Sequence, residues 1–422
     1  MRQYPKYKDS GVEWIGEIPE DWTKSKLKYE SNVFVQYGIN CKSEDYCVSG
    51  IRFIRTTDIS DDGKISDDGV YLPFTMVSEE YITKRNDLLI SRSGTLGRTY
   101  LHLIDDKYCY GGYLVRFNFG NEIKSKFIFY YSKSTSFNDW VKLNTIQSTI
   151  GNVNGDKYSN MEILLPPLHI QNQINTYLDE KTSIVDSLIQ KKQRKIDLLK
   201  EQRTSIINQV VTKGLNPNVK MKESGVEWIG EIPEGWNTIR MKYLCDMVND
   251  KDETTESDIK VSPENVESYT GICFNLYSEY TGVGIRFRKG DVLFNKLRLY
   301  LVKILLTDYE GFSMGEMIVL RPRHIFNKYL FYVLFNQGLI NLLDSQSTGV
   351  KLPRVSPEVI LGSFLPSPPT SEQIQIVDYL DITTSKIDDQ INLENKKIDL
   401  LKEYRQSLIS EVVTGKIDVR KN

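Results

Sequence analysis

The chain has 422 residues, 40% of them hydrophobic, with 54 Lys and Arg against 56 Asp and Glu and a formal net charge of −2. That length supports two or three domains with cores of their own. The near-neutral charge excludes a protein that coats nucleic acid by bulk attraction, so any such contact has to rest on local clusters.

Cys41, Cys47, Cys109, Cys245 and Cys273 show no CxxC spacing, and His102, His169 and His324 are scattered. A disulfide framework, a metal site and histidine-dependent catalysis are therefore not expected. The opening MRQYPKYKDS lacks the apolar core of a signal peptide, and no run of 18 apolar residues is present. The expected compartment is the reducing cytoplasm.

In chain order, residues 1–22 form a first segment that carries SGVEWIGEIPEDW at 10–22. The same stretch returns as SGVEWIGEIPEGW at 224–236, with Asp21 replaced by Gly235. Trp14 and Trp228, and Trp22 and Trp236, read as packing anchors, because large aromatic residues in a repeated frame are mostly core. Residues 23–165 form a variable block of short β-rich runs, IRFIRTTDI at 51–59 and YLVRFNF at 113–119, separated by turn signals such as Asp62-Gly63 and Gly111-Gly112. A helical stretch is expected near 124–140.

Pro166-Pro167 then announce a helix entry, and residues 166–214 form a long charged segment. It carries Leu178, Val185, Lys192, Leu199 and Ile206 at one heptad position and Thr182, Ile189, Ile196, Arg203 and Val210 at the other. A seven-residue repeat sustained this long is a coiled-coil signature.

Residues 215–236 link to the second half. The second variable block, 237–365, contains DVLFNKL at 291–297, EMIVLRP at 316–322 and a helical stretch near 327–343. Pro368-Pro369 open the last segment, 366–422. Its heptad positions are Leu380, Ile387, Glu394, Leu401 and Leu408, and Thr384, Ile391, Ile398, Arg405 and Val412. KIDLLKEQR at 195–203 recurs there as KIDLLKEYR at 397–405.

Two equivalent halves facing across one axis imply a closed two-fold arrangement, in which the two helices run antiparallel. Polar Lys192 and Glu394, at equivalent core positions near the middle of the helices, are expected to approach each other and help fix register. The same symmetry places the first SGVEWIGEIPE beside the end of the second helix, near Gly415.

The blocks share Arg85–Ser91 with Lys289–Asn295, and Gln147-Ser148-Thr149 with Gln346-Ser347-Thr348. After these anchors they diverge, SRSGTLGR against NKLRLYLVK and IGNVNGDK against GVKLPR. Polar, basic loops that differ on a shared scaffold are where specificity resides, and these residue types suit base edges and phosphates. The candidate DNA contacts are Arg92, Ser93, Thr95, Arg98 and Lys157 in the first block, and Asn295, Lys296, Arg298, Lys351 and Arg354 in the second.

The layout resembles the specificity subunit of Type I restriction–modification enzymes. SGVEWIGEIPE, the Pro-Pro entry to a helix beginning Gln-x-Gln-Ile, and KIDLLKE-x-R are similar to that family's conserved regions, and their duplication spans essentially the whole chain. The resemblance implies an α+β fold with two pseudo-symmetric mixed α/β target recognition domains, separated by two long helices that form an antiparallel coiled coil. It implies double-stranded DNA as a partner, two methyltransferase (M) subunits and two restriction (R) subunits, with S-adenosylmethionine, ATP and Mg bound in those partners and no membrane association. The DNA target would be split and asymmetric, with adenine methylated in each half.

A helix of about 40 residues is about 60 Å long, against about 34–36 Å for one turn of B-DNA. Such a rod can hold two readers on separate major-groove faces. No Gly-rich phosphate loop with Lys-Ser/Thr and no Asn/Asp-Pro-Pro-aromatic tetrad is present, so no catalytic residue is expected in this chain. A coiled-coil scaffold that does not bind DNA remains the alternative that the residues alone leave open.

Overall fold

The computed structural model describes residues 2–11, 15–145, 151–277, 282–349 and 351–420. Trp14 and Gln147-Ser148-Thr149 lie outside the described residues. The chain divides into two compact units, one of Met1–Lys192 with Lys396–Asn422, the other of Gln193–Asn395. Each unit therefore holds one variable block and a portion of both long helices.

In the first unit, a hairpin of Tyr7–Asp9 and Glu17–Pro19 precedes the block. The block opens on strand Thr23–Lys26 and closes on strand Glu162–Leu165, and these two pair antiparallel with Thr23 opposite Leu165. The chain thus leaves the frame and returns to it at one place. Between them stands a four-stranded antiparallel sheet in the order Gln36–Tyr37, Leu114–Asn118, Asp87–Ser91, Thr99–His102. A three-stranded sheet joins Val70–Leu72, Ile51–Ile54 and Tyr108–Tyr110, the last pair parallel. The alternating runs of the sequence supply the central strands, whose Leu88, Ile90, Val115 and Phe117 are buried in one core with Phe127, Leu164, Ile174, Leu178, Leu408 and Val412. Block and helices therefore share a core, and the domain is fixed to its helical base by apolar packing.

The second unit repeats this plan. Its hairpin is Met221–Glu223 with Glu231–Pro233, and its closing pair is Asn237–Arg240 with Phe364–Ser367. The main sheet runs Cys245–Val248, Met317–Pro322, Val292–Asn295, Ile304–Leu306, in the same order and sense. The second sheet has four strands instead of three: Lys251–Glu253, Val283–Phe287, Gly311–Ser313 and Lys260–Val261.

Where the sequence suggests a single helical stretch in each block, each unit has two short helices: Glu122–Tyr131 and Thr135–Asn144, and Asn327–Leu334 and Gln337–Ser345. The break is chemical. Ser134 and Asn336 cap the second helix of each pair, accepting from Phe137 N in one case and from Gly338 N and Leu339 N in the other.

The long helices are Leu168–Lys213 and Thr370–Val413. Both begin just past the proline pair. Gln171 Nε2 donates to Pro166 O at 2.8 Å, and Gln373 Nε2 to Pro368 O at 2.9 Å, which satisfies a carbonyl at the entry. Leu178, Val185, Ile196, Leu199, Leu380, Ile387 and Ile398 are buried, and Ile189, Lys192, Ile391 and Leu401 are half-buried. Glu394 is only 3% exposed and pairs with Lys195 at 3.0 Å. In the second unit Lys195 meets Glu394 while Arg203 meets Asp388. The partner number falls as the residue number rises, so the helices run antiparallel. In the first unit Arg405 meets Asp186 at 3.0 Å, the repeat-equivalent of the Arg203–Asp388 pair.

Each hairpin sits on a helix end. Tyr7 Oη donates to Gly415 O at 3.1 Å, and Asp418 N donates to Arg2 O at 2.9 Å, so the first repeat lies where the symmetry argument puts it. Trp22 and Trp236 are fully buried. Gly415 has φ +76, and a Cβ there would stand 2.4 Å from Pro19 Cδ. Gly214, at φ +71, is the counterpart. Its nearest neighbours to such a Cβ are Glu372 Oε1 and Trp236 Cζ2, both at 3.1 Å. Replacement by Ala is strained at both positions but brings the new Cβ closer than 3.0 Å to a neighbour only at Gly415. We expect Gly214→Ala to cost about 1 kcal/mol and Gly415→Ala about 2–3 kcal/mol. Denaturant unfolding of both variants checks the order, and equal costs would contradict this account of the junction.

Candidate nucleic-acid interface

The divergent loops follow equivalent central strands. In the first unit, Asp87–Ser91 leads into a turn closed by Ser91 N donating to Arg98 O at 2.8 Å. Arg92 N donates to Tyr113 O at 2.8 Å and Val153 N to Arg92 O at 3.0 Å. Ser93 forms an antiparallel bridge with Asn152. In the second unit, Asn295 N donates to Lys303 O at 3.1 Å, Lys296 N to Glu316 O at 3.0 Å, and Val355 N to Lys296 O at 3.0 Å. Leu297 bridges Arg354. The two loops are hung on the same backbone hydrogen bonds, so the frame is shared even where the residues are not.

On that frame the side chains do different things. The Arg92 guanidinium lies 4.7 Å from the Tyr37 ring centroid and 3.5 Å from Asn152 Oδ1. Tyr37 Oη accepts from Gly155 N at 3.0 Å. Ser93 is 9% exposed, and Thr95 Oγ1 donates to Thr56 O at 3.3 Å. Arg98 is held by Asp61 at 2.7 Å and by Ile59 O at 3.0 Å. Lys157 Nζ donates to Asn144 O at 2.7 Å.

In the second unit Asn295 is 4% exposed and braces its own loop, accepting from Leu297 N at 3.1 Å and donating to Leu297 O at 2.7 Å. Glu316 pairs with Lys296 at 3.4 Å and with Arg354 at 2.7 Å. Arg298 and Lys351 are exposed. The structure thus gathers Arg92 and Ser93 against the 152–157 segment, and Lys296 and Arg298 against the 353–355 segment that carries Arg354. Tyr37, Asn152 and Glu316 belong to these clusters without having been expected from the sequence. Their place depends on strand register, and only the position of Glu316 at the start of EMIVLRP hinted at it.

Each loop-bearing domain is also tied to its helices by charge. Asp186, paired with Arg405, lies 3.7 Å from Lys64 on the Ser60–Lys64 turn. Arg203, paired with Asp388, donates from Nη1 to Tyr269 O at 3.0 Å. It does so at the edge of a groove of about 1290 Å³ lined by helix and domain residues of that unit. Between the short helices, Thr135 N donates to Ser410 Oγ at 2.6 Å and Gln337 N to Asn208 Oδ1 at 2.9 Å.

Lys133, in the first of these joints, is almost fully buried and donates to Asp61 O at 3.0 Å and Thr99 O at 3.1 Å. Burial holds its ammonium far below the ordinary lysine range, to about 7, against the opposing pull of Asp62 and Asp61 and with help from Arg405 and Arg98. Among the described residues, no group of three or more His, Cys, Asp or Glu could hold a metal ion, and no helix is long and apolar enough to cross a membrane.

A family model described as the Type I restriction modification DNA specificity domain matches residues 19–198 and again 233–403. The chain belongs to that family, as a Type I restriction–modification specificity subunit with two recognition domains. The MjaVIII specificity subunit of Methanocaldococcus jannaschii is 23% identical over 375 residues, covering 84% of each chain. The putative MjaX specificity subunit of the same organism is 24% identical over 438 residues, covering 96% of each. A solved chain from work on complex assembly and conformational transition of the type I R-M system shares the fold. Its TM-score is 0.68 at 15% identity, over 95% of this chain and 99% of that one.

The Lys133 environment sets a pH dependence. Its folded value lies below the unfolded one, so the unfolded chain binds more protons between about 7 and the ordinary lysine range, and stability rises with pH across that window. Lys133→Met removes the charge burial. Its thermal midpoint should exceed that of the wild type by more at pH 6 than at pH 9. A gain that is constant with pH would show that the ammonium is not held near neutrality.

Proposed function

We propose that the chain reads a bipartite, asymmetric double-stranded DNA sequence, one half-site per recognition domain, with an unread gap between the halves. The long helices serve as the platform for two methyltransferase subunits and two restriction subunits. Adenine methylation and cleavage reside in those partners, as do S-adenosylmethionine, ATP and Mg, and this chain contributes no catalytic residue. The complex works in the cytoplasm.

The observation that carries this reading is the pair of loops. The same hydrogen bonds fix both backbones, yet one loop carries Arg92, Ser93 and Thr95 and the other Lys296, Leu297 and Arg298. A shared frame with different contents is what two related readers of different sequences require.

The physics of the contacts follows from their settings. Arg92, Arg298, Lys351 and Arg354 are the cations placed to reach DNA, to grip phosphates or base edges. Asn295, Arg98 and Lys157 spend their polar atoms on the loop or its neighbours, and so act by holding it in shape. Ser93 and Thr95, short and close to the turn, suit backbone contacts at near approach. The cluster is small and the chain near neutral, so the isolated subunit should bind DNA weakly, and the partners should supply the rest of the positive surface.

Methylation mapping of genomic DNA from cells expressing the chain with its cognate methyltransferase subunit tests this directly. Modified adenines in a two-part motif with a fixed gap are expected. A stable complex that leaves no such motif would overturn the reading in favour of a scaffold. Exchange of residues 23–165 for another recognition block should change one half of the motif and leave the other intact. A change in both halves would contradict one domain per half-site.

A further inference from the structure

Among the described residues, four non-glycine residues have positive φ: Asn86, Tyr269, Arg298 and Val302. Asn86, at φ 73, precedes Asp87 as Gly290, at φ 90, precedes Asp291, and asparagine tolerates that region. The other three converge on one loop. Arg298 (φ 50, ψ 60) and Val302 (φ 45, ψ 61) flank the turn Leu299–Leu301. Tyr269 (φ 66) clamps it, donating from N to Val302 O at 3.0 Å and from Oη to Tyr300 O at 2.9 Å.

The first domain carries the same loop with different residues at its corners. Ser91 N to Arg98 O corresponds to Asn295 N to Lys303 O. Within that closure the positive-φ positions are Gly94 (φ 75) and Gly97 (φ 77) in the first domain, and Arg298 and Val302 in the second. The frame calls for a left-handed corner, which glycine adopts freely and an L side chain rarely does. A β-branched valine there is a marked outlier.

The strained side chains have different uses. Val302 is 2% exposed and packs in the unit's main core with Leu299. The Tyr269 hydroxyl holds the turn. Arg298 is exposed, and its guanidinium has no hydrogen-bond or ion-pair partner among the described residues. Its neighbours Lys296 and Arg354 share one carboxylate, that of Glu316. Only its backbone is engaged, with N donating to Pro353 O at 2.9 Å. The left-handed corner is therefore occupied by a side chain that makes no hydrogen bond or ion pair among the described residues. Strain of this kind persists where the surroundings hold it, and it collects at functional sites.

We infer that Arg298 is the base-reading residue of the second recognition domain, held by this strained corner so that its guanidinium meets the major-groove edge of a guanine. This deepens the DNA-recognition reading above and rests on it. A phosphate can be gripped by any flexible surface cation. A rigid corner in a loop that differs between the two domains suits instead the fixed, two-pronged geometry of arginine on guanine O6 and N7.

The test compares complexes of the wild type, Arg298→Gly and Arg298→Lys with the cognate methyltransferase subunit, by thermal unfolding and by methylation mapping. Arg298→Gly relieves the corner, so its midpoint should stay level or rise by up to about 3 °C. Discrimination for guanine should fall about 10- to 100-fold at one position of one half-site, with the other half unchanged. Arg298→Lys keeps the charge but not the fork, and should show the same relaxation with affinity largely retained.

A motif unchanged in both variants would overturn the inference while leaving the DNA-recognition reading intact. Uniformly weaker methylation without relaxation at any position would overturn it too, by making Arg298 a phosphate contact. A midpoint that falls by more than about 5 °C in Arg298→Gly would overturn the strain argument, with Arg298→Lys still deciding whether a base is read. Absence of any two-part motif in the wild-type complex would sink both readings.

Discussion

Everything variable in this protein depends on one constraint: each recognition block has to leave the helical frame and return to it at the same spot. The antiparallel pairs Thr23–Lys26 with Glu162–Leu165 and Asn237–Arg240 with Phe364–Ser367 impose it. Because entry and exit are hydrogen-bonded neighbours, a block of altered length or content still hands the chain to the Pro-Pro entry in the same register. The three-stranded and four-stranded second sheets of the two domains show how much can change inside that closure. The hairpins, buried tryptophans and left-handed glycines at the helix ends do the same for the frame itself, so selection on the frame and on its contents can proceed separately.

The helices answer a second requirement, that the blocks be held rigidly. Their heptads are not uniformly apolar. Thr182 and Thr384 each return a hydroxyl to the carbonyl four residues back, at 2.7 Å, which satisfies a polar group within the seam. Arg203 and Arg405 replace apolar residues where the helix passes under a domain, and each pairs with an aspartate of the other helix. In the second unit that arginine also reaches a carbonyl of the domain, and in the first the aspartate reaches Lys64. These polar positions weaken a purely hydrophobic zipper and in exchange fix how each domain sits on its own helices. For a recognition domain, orientation matters more than raw stability.

Much of this was legible in the sequence, because it is written in repetition and period. The two copies of SGVEWIGEIPE, the heptads and the proline pairs fix the frame, the helices and their direction, and the alternating runs find the central strands. What escaped depends on contacts between residues far apart in the chain. Nothing local says that Arg98 is claimed by Asp61 or Lys157 by the Asn144 carbonyl. The helical stretches near 124–140 and 327–343 looked continuous because their apolar residues keep a helical period. Serine and asparagine caps cut them, and a lone Ser or Asn in such a run is a weak signal until its backbone geometry is known.

The left-handed corners show why the site was harder to read than the fold. In the first domain glycines mark them, and SRSGTLGR reads as a turn. In the second the same corners are Arg298 and Val302, and with no glycine to mark them NKLRLYLVK reads as a loop without showing where it turns. Only the shared hydrogen bonds reveal that both loops make the same turn. The inference that Arg298 reads a base accounts for an exposed arginine where the frame would accept glycine. Val302, at the other corner, is held in the same conformation by packing in the core.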